Sequence, residues 1–241
     1  MADVPIVDIG PYSHPDSSPT TKRHVIDEVR KACAEFGFIQ IKGHGVPVGV
    51  QQRILDSCKA LFDLTQDQKD ALSLKNNHVV GLGRTLLEIL AQGLGHDVLV
   101  LGNFTTEPVV NLKILHYPPH NSNDRKQFGA GANADFGTLI ILVQQPGRHG
   151  LQLYRGNQWL NVPALEDVFV VKMGDLIDKW TNGSYKNTLH RVINVSGKDR
   201  YSVPCFYQGD FTYKYPFNPR DEDEETVEMH IRRKFDQSYG I

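Results

Sequence analysis

A chain of 241 residues, 40% hydrophobic and 22% charged, is long enough to bury a sizeable core as one or two domains. Its net charge of −2 supplies no basic field for nucleic acid, and no apolar run is long enough to span a bilayer. Cys33, Cys58 and Cys205 are an odd, sparse set with no basic-then-apolar leader ahead of them, which points to a reducing, cytoplasmic compartment.

Taken in order, Val4 to Ile9 reads as a first strand stopped by Gly10-Pro11, and Ser17 to Thr21 as a polar linker. Val25, Ile26, Val29, Ala32, Cys33 and Phe36 recur at helical spacing, and Gly37 is placed to cap that helix in the left-handed conformation. Phe38-Ile39-Gln40-Ile41 is a strand, followed by a turn at Lys42 to Val46. Ile54, Leu55, Cys58, Leu61 and Phe62 mark a second helix. Both Cys33 and Cys58 fall on apolar faces and are expected to be buried thiols, not a bridge. Thr65-Gln66-Asp67-Gln68 opens a short third helix with a capping-box pattern. Gly81-Leu82-Gly83 reads as a break before an apolar helix of Leu86, Leu87, Ile89, Leu90 and Leu94, ended by Gly95.

Beyond Asn111 the pattern changes to strands: 112–117, 138–144, 151–154, 159–162, 168–172, 189–194 and 201–207, punctuated by Gly, Pro and Asn. Asp221 to Glu225 is a solvated acidic turn, and Thr226 caps a last helix with Val227, Ile231 and Phe235 inward. The organisation is a helix-rich region, 1–100, and a β-rich region, 105–241.

Four segments in order carry a resemblance: Phe36-Gly37-Phe38-Ile39-Gln40-Ile41 with Gly43-His44-Gly45; Leu115-His116-Tyr117-Pro118-Pro119; Gly131-Ala132-Asn133-Ala134-Asp135-Phe136-Gly137; and Asn187-Thr188-Leu189-His190-Arg191-Val192 with Arg200-Tyr201-Ser202. Together they resemble the isopenicillin-N-synthase-like dioxygenases, which depend on Fe(II) and 2-oxoglutarate. The resemblance implies a mainly β fold with flanking helices, a double-stranded β-helix or jelly roll. The 1–100 region would be the helix-rich N-terminal part and 105–241 the Fe(II)/2-oxoglutarate domain. It implies metal ligands at Asp135 and His190, with Asn133 standing where the family has a histidine. It also implies a clamp for the distal carboxylate of 2-oxoglutarate at Arg200 and Ser202, with Tyr117 as a further polar contact.

The residue types suit those roles. A carboxylate and an imidazole match ferrous iron. Asn133 offers only a neutral amide oxygen. A guanidinium fork takes a carboxylate by two parallel hydrogen bonds, and Arg200 and Ser202, two apart on a strand, face one side. His44 and Asp175 read as structural, Trp159 and Trp180 as packing residues. On strand alternation His116 points away from Tyr117. His14, His24, His78, His96, His120, His149 and His230 are expected to be exposed.

A second departure is the short passage from Lys75 to the Arg84–Leu94 helix, where the family carries several dozen more residues, including part of a substrate lid. The chain is either naturally shortened there or edited. The leading expectation is therefore oxidation of a small organic, secondary-metabolite substrate, with no nucleic-acid or membrane partner. Set against it are a catalytically silent homologue that binds or pairs with an active relative, and a non-redox enzyme reusing the pocket.

Overall fold

The computed structural model describes residues 4–64, 77–119, 129–194, 196–214 and 225–240. Eleven strands among them form two sheets. The larger runs in the order β1 (Ile6–Asp8), β2 (Phe38–Lys42), β9 (Phe169–Met173), β6 (Leu139–Gln144), β11 (Arg200–Gly209), β3 (Val109–Leu112), with β4 (Leu115–Tyr117) also paired to β11. The smaller runs β5 (Ala130–Asn133), β10 (His190–Val192), β7 (Leu151–Arg155), β8 (Gln158–Asn161). Only β1 and β2 pair in parallel; every other ladder among the described residues is antiparallel. The expected mainly β jelly roll with flanking helices is thus what the chain builds, and the helix-rich region contributes β1 and β2 to the larger sheet.

The two faces of the larger sheet have different tasks. Ile39, Ile41, Leu139, Ile141, Val171, Met173, Cys205 and Tyr207 share one core with the helices. Their alternate neighbours Phe38, Leu142 and Val170 share a second core with Leu151, Leu153 and Val192 of the smaller sheet. This second core is the inside of the roll, and it leads to the site.

Helix α1 is a short turn, Gly10–Ser13, where only a stop was expected. Helix α2, Pro19–Phe36, starts inside the expected linker because Ser18 accepts a hydrogen bond from the Thr21 backbone N–H and Pro19 needs no donor partner at the first helical position. It buries the expected stripe, and Gly37 caps it at φ 64°. Helix α3 covers Val48–Asp63, and the third-helix expectation at Thr65 lies outside the described residues.

Helix α4, Asn77–Gly93, runs straight through Gly81 and Gly83 where a break was expected. The reason is packing: Gly83 lies against the Tyr207 ring, and a side chain there would overlap it. The glycine permits a close approach; it does not end the helix. Helix α5, Asp175–Trp180, follows β9, and α6, Val227–Tyr239, is capped by Thr226 as expected. Val227 is buried on α6, but Phe235 is exposed, so its inward assignment is corrected. Cys33, Cys58 and Cys205 are all free and buried.

Candidate functional site

The loop after β5 places Asp135, and its backbone is fixed from two sides. The Asp135 carbonyl accepts hydrogen bonds from the Asp175 N–H at the start of α5 (3.0 Å) and from Asn187 Nδ2 (2.8 Å). Asp175 Oδ1 in turn accepts from the Gly137 N–H at 2.9 Å. Strand β10 brings in His190 from the other side, and Thr188 just before it is tied to Phe36 through a 2.7 Å bond from its hydroxyl to the Phe36 carbonyl. As a result Asp135 Oδ2 and His190 Nε2 lie 3.5 Å apart. The structure brings this expected pair together.

What lies between them was not expected. The Lys172 ammonium, from the centre of the larger sheet, pairs with Asp135 Oδ2 and stands 3.0 Å from His190 Nε2. Its side chain is only 7% exposed. His190 Nδ1 lies 3.2 Å from the Thr188 carbonyl, which assigns its proton to Nδ1 and leaves Nε2 to accept from the ammonium. Burial and the Lys172 charge push His190 down to about 4, against the opposing pull of Asp135 and Thr188. The imidazole is therefore neutral near pH 7. Burial by itself would raise Asp135, but Lys172 above all holds the carboxyl below the ordinary range. The cluster is an ammonium–carboxylate ion pair with a neutral imidazole acceptor.

Asn133 does not join it. Its Cα stands opposite His190 on the β5–β10 ladder, so the two residues share a sheet face. Its side chain is exposed and turns back on its own strand, donating from Nδ2 to the Gly131 carbonyl at 3.2 Å.

The second group lies further along the inside of the roll. Arg200 is fully buried. Its Nη2 donates to Gln144 Oε1 at 3.0 Å, its Nε to the Arg148 carbonyl at 3.2 Å and its Nη1 to Ser202 Oγ at 3.4 Å. The guanidinium carbon stands 4.9 Å from the centre of the Tyr117 ring. Arg200, Ser202 and Tyr117 are thus together, as expected, with Gln144 as an added neighbour. Among the described residues no carboxylate pairs with Arg200. Burial draws its pKa down, with Tyr117 opposing, yet a guanidinium stays charged. A buried cation without a counter-charge is costly, and a bound anion would offset that cost.

The other histidines sort differently from expectation in two cases, His230 and His96. His230 is buried, not exposed: it stands 3.0 Å from Asp175 Oδ1 and 3.2 Å from Glu225 Oε2. That ties α6 to the start of α5, behind the Asp135 loop. His96 is half-buried; His14, His24 and His149 are exposed, and His78 and His120 are outside the described side chains. His44 stacks on Phe169 at 3.9 Å, and His116 pairs with Asp199 at 2.7 Å, away from His190. Trp180 is buried against Phe104.

Comparison with known proteins follows the same lines. Residues 106–209 match the 2OG-Fe(II) oxygenase superfamily, and residues 4–123 match the N-terminal region of non-haem dioxygenases in morphine synthesis. The 2-oxoglutarate-dependent dioxygenase caaD of Aspergillus niger is 36% identical, over 99% of this chain and 94% of that protein. The chain belongs to the 2-oxoglutarate/Fe(II) oxygenase superfamily. A second relative, the 2-oxoglutarate-dependent dioxygenase thnC of Trichoderma harzianum, is 32% identical over 99% of this chain and 94% of its own length. A full-length Neurospora crassa protein, solved in complex with alpha-KG and 5-formyluracil, shares the double-stranded β-helix fold at a TM-score of 0.83 with 18% identity, covering 95% of this chain and 94% of that one. The rice dioxygenase for auxin oxidation does so at 0.78 with 20% identity, covering 99% and 96%.

The alignment to the Aspergillus niger relative spans 305 positions against 241 residues here, so at least 64 of them have no counterpart in this chain. The chain is shorter than that relative; the passage expected to be abbreviated, near 75–84, lies partly outside the described residues.

Fe(II) and 2-oxoglutarate are the cofactors of this superfamily. The residues present suit them unequally. Arg200, buried and with no carboxylate partner among the described residues, suits one carboxylate of 2-oxoglutarate together with Ser202 and Tyr117. The donor set for iron does not fit: Asn133 turns away, Lys172 engages Asp135 Oδ2 and His190 Nε2, and no three His, Cys, Asp or Glu among the described residues are placed to share a metal ion. Sequence reasoning missed Lys172. The available signal was a lysine inside the apolar run Phe169-Val170-Val171-Lys172-Met173, where a charge is rarely buried without a partner.

Proposed function

We propose that this chain is a dicarboxylate-binding, catalytically silent member of its superfamily, which holds 2-oxoglutarate at Arg200, Ser202 and Tyr117. The observation that carries the reading is the fully buried Arg200 guanidinium with no carboxylate partner among the described residues. Its remaining N–H capacity suits the two oxygens of a carboxylate, with Ser202 Oγ beside it. The ammonium between Asp135 and His190 supports silence in oxidation. The protein would act in the cytoplasm as a binding or partner protein, including by pairing with an active homologue. Calorimetry with 2-oxoglutarate tests the reading. Binding by the wild type and its loss in Arg200→Met is the expected result; equal affinity in the two sinks it.

Two observations favour the alternative, oxidation of a small secondary-metabolite substrate: Asp135 and His190 still converge at 3.5 Å, and the relatives at 32% and 36% identity are 2-oxoglutarate-dependent dioxygenases. The separating assay is succinate formation from 2-oxoglutarate with added Fe(II). Turnover by the unaltered chain would overturn the silent reading.

A further inference from the structure

We infer that Lys172 is the resident cation of this pocket: its ammonium takes the place of a metal ion between Asp135 and His190 and lets the pocket hold a 2-oxo dicarboxylate with no metal present. The inference rests on the dicarboxylate reading above and names the second group that would hold the ligand.

Strand register fixes where Lys172 points. It stands opposite Phe38 on β2 and Ile140 on β6. Phe38 lies in the inner core, as do Leu142 and Val170 at even spacing from Ile140 and Lys172. Lys172 is therefore committed to the inside of the roll. Ser202 stands opposite Gln144, four residues beyond Ile140 on β6, and so shares the inner face. The rows of Lys172 and Ser202 are about 13 Å apart along the strands, with the Leu142 and Val170 row between them on the same face.

The ammonium and a metal compete for the same two atoms, Asp135 Oδ2 and His190 Nε2. A first-row metal bonded to both donors would lie about 2.0–2.2 Å from each. The Lys172 nitrogen already contacts both, at 3.0 Å from His190 Nε2. A dication entering there would have to expel a charge that pairs with a largely buried carboxylate. Conversely, without Lys172 the largely buried Asp135 carboxylate would lose its main counter-charge and draw in a cation from solution.

An ammonium has three N–H donors. Asp135 and His190 take two, and no third partner for Lys172 exists among the described residues. The spare donor, with Arg200 at the other end, matches an acid whose second carboxylate or adjacent oxo group supplies an acceptor oxygen. A five-carbon 2-oxo diacid has both features.

The experiment is calorimetric titration of the full chain with 2-oxoglutarate, once with a chelator and once with Mn(II), for the wild type, Lys172→Met and Arg200→Met. Mn(II) affinity is read separately by electron paramagnetic resonance. The wild type is expected to bind with the same Kd, within about twofold, with or without the chelator. Lys172→Met is expected to lose about tenfold or more in the chelator, the scale of a lost charge-assisted hydrogen bond, and to bind Mn(II) about tenfold or more tightly than the wild type. Because Lys172→Met leaves Asp135 buried and unpaired, the charge-balanced Lys172→Met/Asp135→Asn variant is run beside it, with circular dichroism to show folding. It should show the same loss of chelator-resistant binding. Wild-type binding that requires Mn(II) overturns the inference while leaving the dicarboxylate pocket standing. So does chelator-resistant binding that survives in the folded charge-balanced variant. No wild-type binding under either condition overturns the pocket reading and the inference with it.

Discussion

His190 and Asn133 stand opposite each other on the β5–β10 ladder, and their side chains take different partners: Lys172 for one, the Gly131 carbonyl for the other. A ladder position is thus available from which a third ligand could reach the cluster, while a lysine engages Asp135 Oδ2 and His190 Nε2. Asn133→His alone should therefore raise Mn(II) or Fe(II) affinity by less than about tenfold, below the effect typical even of residues that only support a ligand. Asn133→His combined with Lys172→Asn should gain more than the sum of the two single changes, because each blocks the other's benefit. Anaerobic metal titration of the four proteins measures this, and a large gain from Asn133→His alone would show that Lys172 does not hold the site.

Arg200 makes a separate prediction about stability. The ligand-free protein keeps a guanidinium buried among neutral acceptors, Gln144 Oε1 and the Arg148 carbonyl. A buried charge without a counter-charge is costly to keep, which offsets the hydrogen bonds lost when an apolar side chain of similar volume replaces it. Arg200→Met should accordingly melt no lower than the wild type without ligand, and should lose the rise in Tm that 2-oxoglutarate gives the wild type. Thermal melts with and without 2-oxoglutarate provide the check. A ligand-free variant that melts far below the wild type would mean that Arg200 is a structural group.

Much of this was legible in the chain, and the exceptions have physical reasons. The strand run pointed to an antiparallel sandwich or barrel, and the family resemblance carried by the ordered motifs implied the jelly roll and the groupings of Asp135 with His190 and of Arg200 with Ser202 and Tyr117. Helix α2 was readable from its stripe and its Gly37 cap because both signals are local. Lys172 was not readable as a site residue. Its meaning depends on β9 lying between β2 and β6, and β2 is far from β9 along the chain. His230 was misjudged for the same reason: only the docking of α6 on α5 buries it. Asn133 had the right strand position, but sequence cannot show which hydrogen bond its short side chain prefers.

The helix break expected at Gly81 and Gly83 gives a paired test. Both glycines lie inside α4, where alanine is favoured by about 1 kcal/mol. A Cβ on Gly81 meets open space, so Gly81→Ala should raise stability by up to that amount. A Cβ on Gly83 would run into the buried Tyr207 ring, so Gly83→Ala should lose about 1–3 kcal/mol, the usual cost of overpacking. For a domain of this length each kcal/mol moves Tm by about 2–4 °C. Melts showing both variants shifted in the same direction would refute the account of Gly83 as a close-approach glycine.

Stability in acid should be set in part by the contacts that hold α6. Glu225 accepts from Arg233 (2.9 Å), Lys179 (3.3 Å) and His230 (3.2 Å), and Asp175 faces His230 (3.0 Å) and Lys234 (3.1 Å). Burial would raise Glu225, but Arg233, His230 and Lys179 prevail and hold it at about 2. Asp175 is likewise lowered: burial opposes, and His230, the Gly137 N–H and Lys234 outweigh it. Both carboxyls are therefore depressed in the folded state, so the unfolded chain binds protons first as pH falls. Their stabilisation is complete above the unfolded carboxyl range, near pH 4.5, and is lost progressively as pH drops from there towards 2. Glu225→Gln should lower Tm at pH 7 by a few degrees, the scale expected for about 1 kcal/mol from a partly exposed charge network. The same substitution should make little difference at about pH 2.5, where the wild type has itself lost most of this contribution. High salt should narrow the difference at pH 7, since these charges are only partly covered. Melting curves of the two proteins from about pH 2.5 to 7 decide the matter: a Glu225→Gln deficit that stays constant across that range would show that the residue acts through packing and not through its charge.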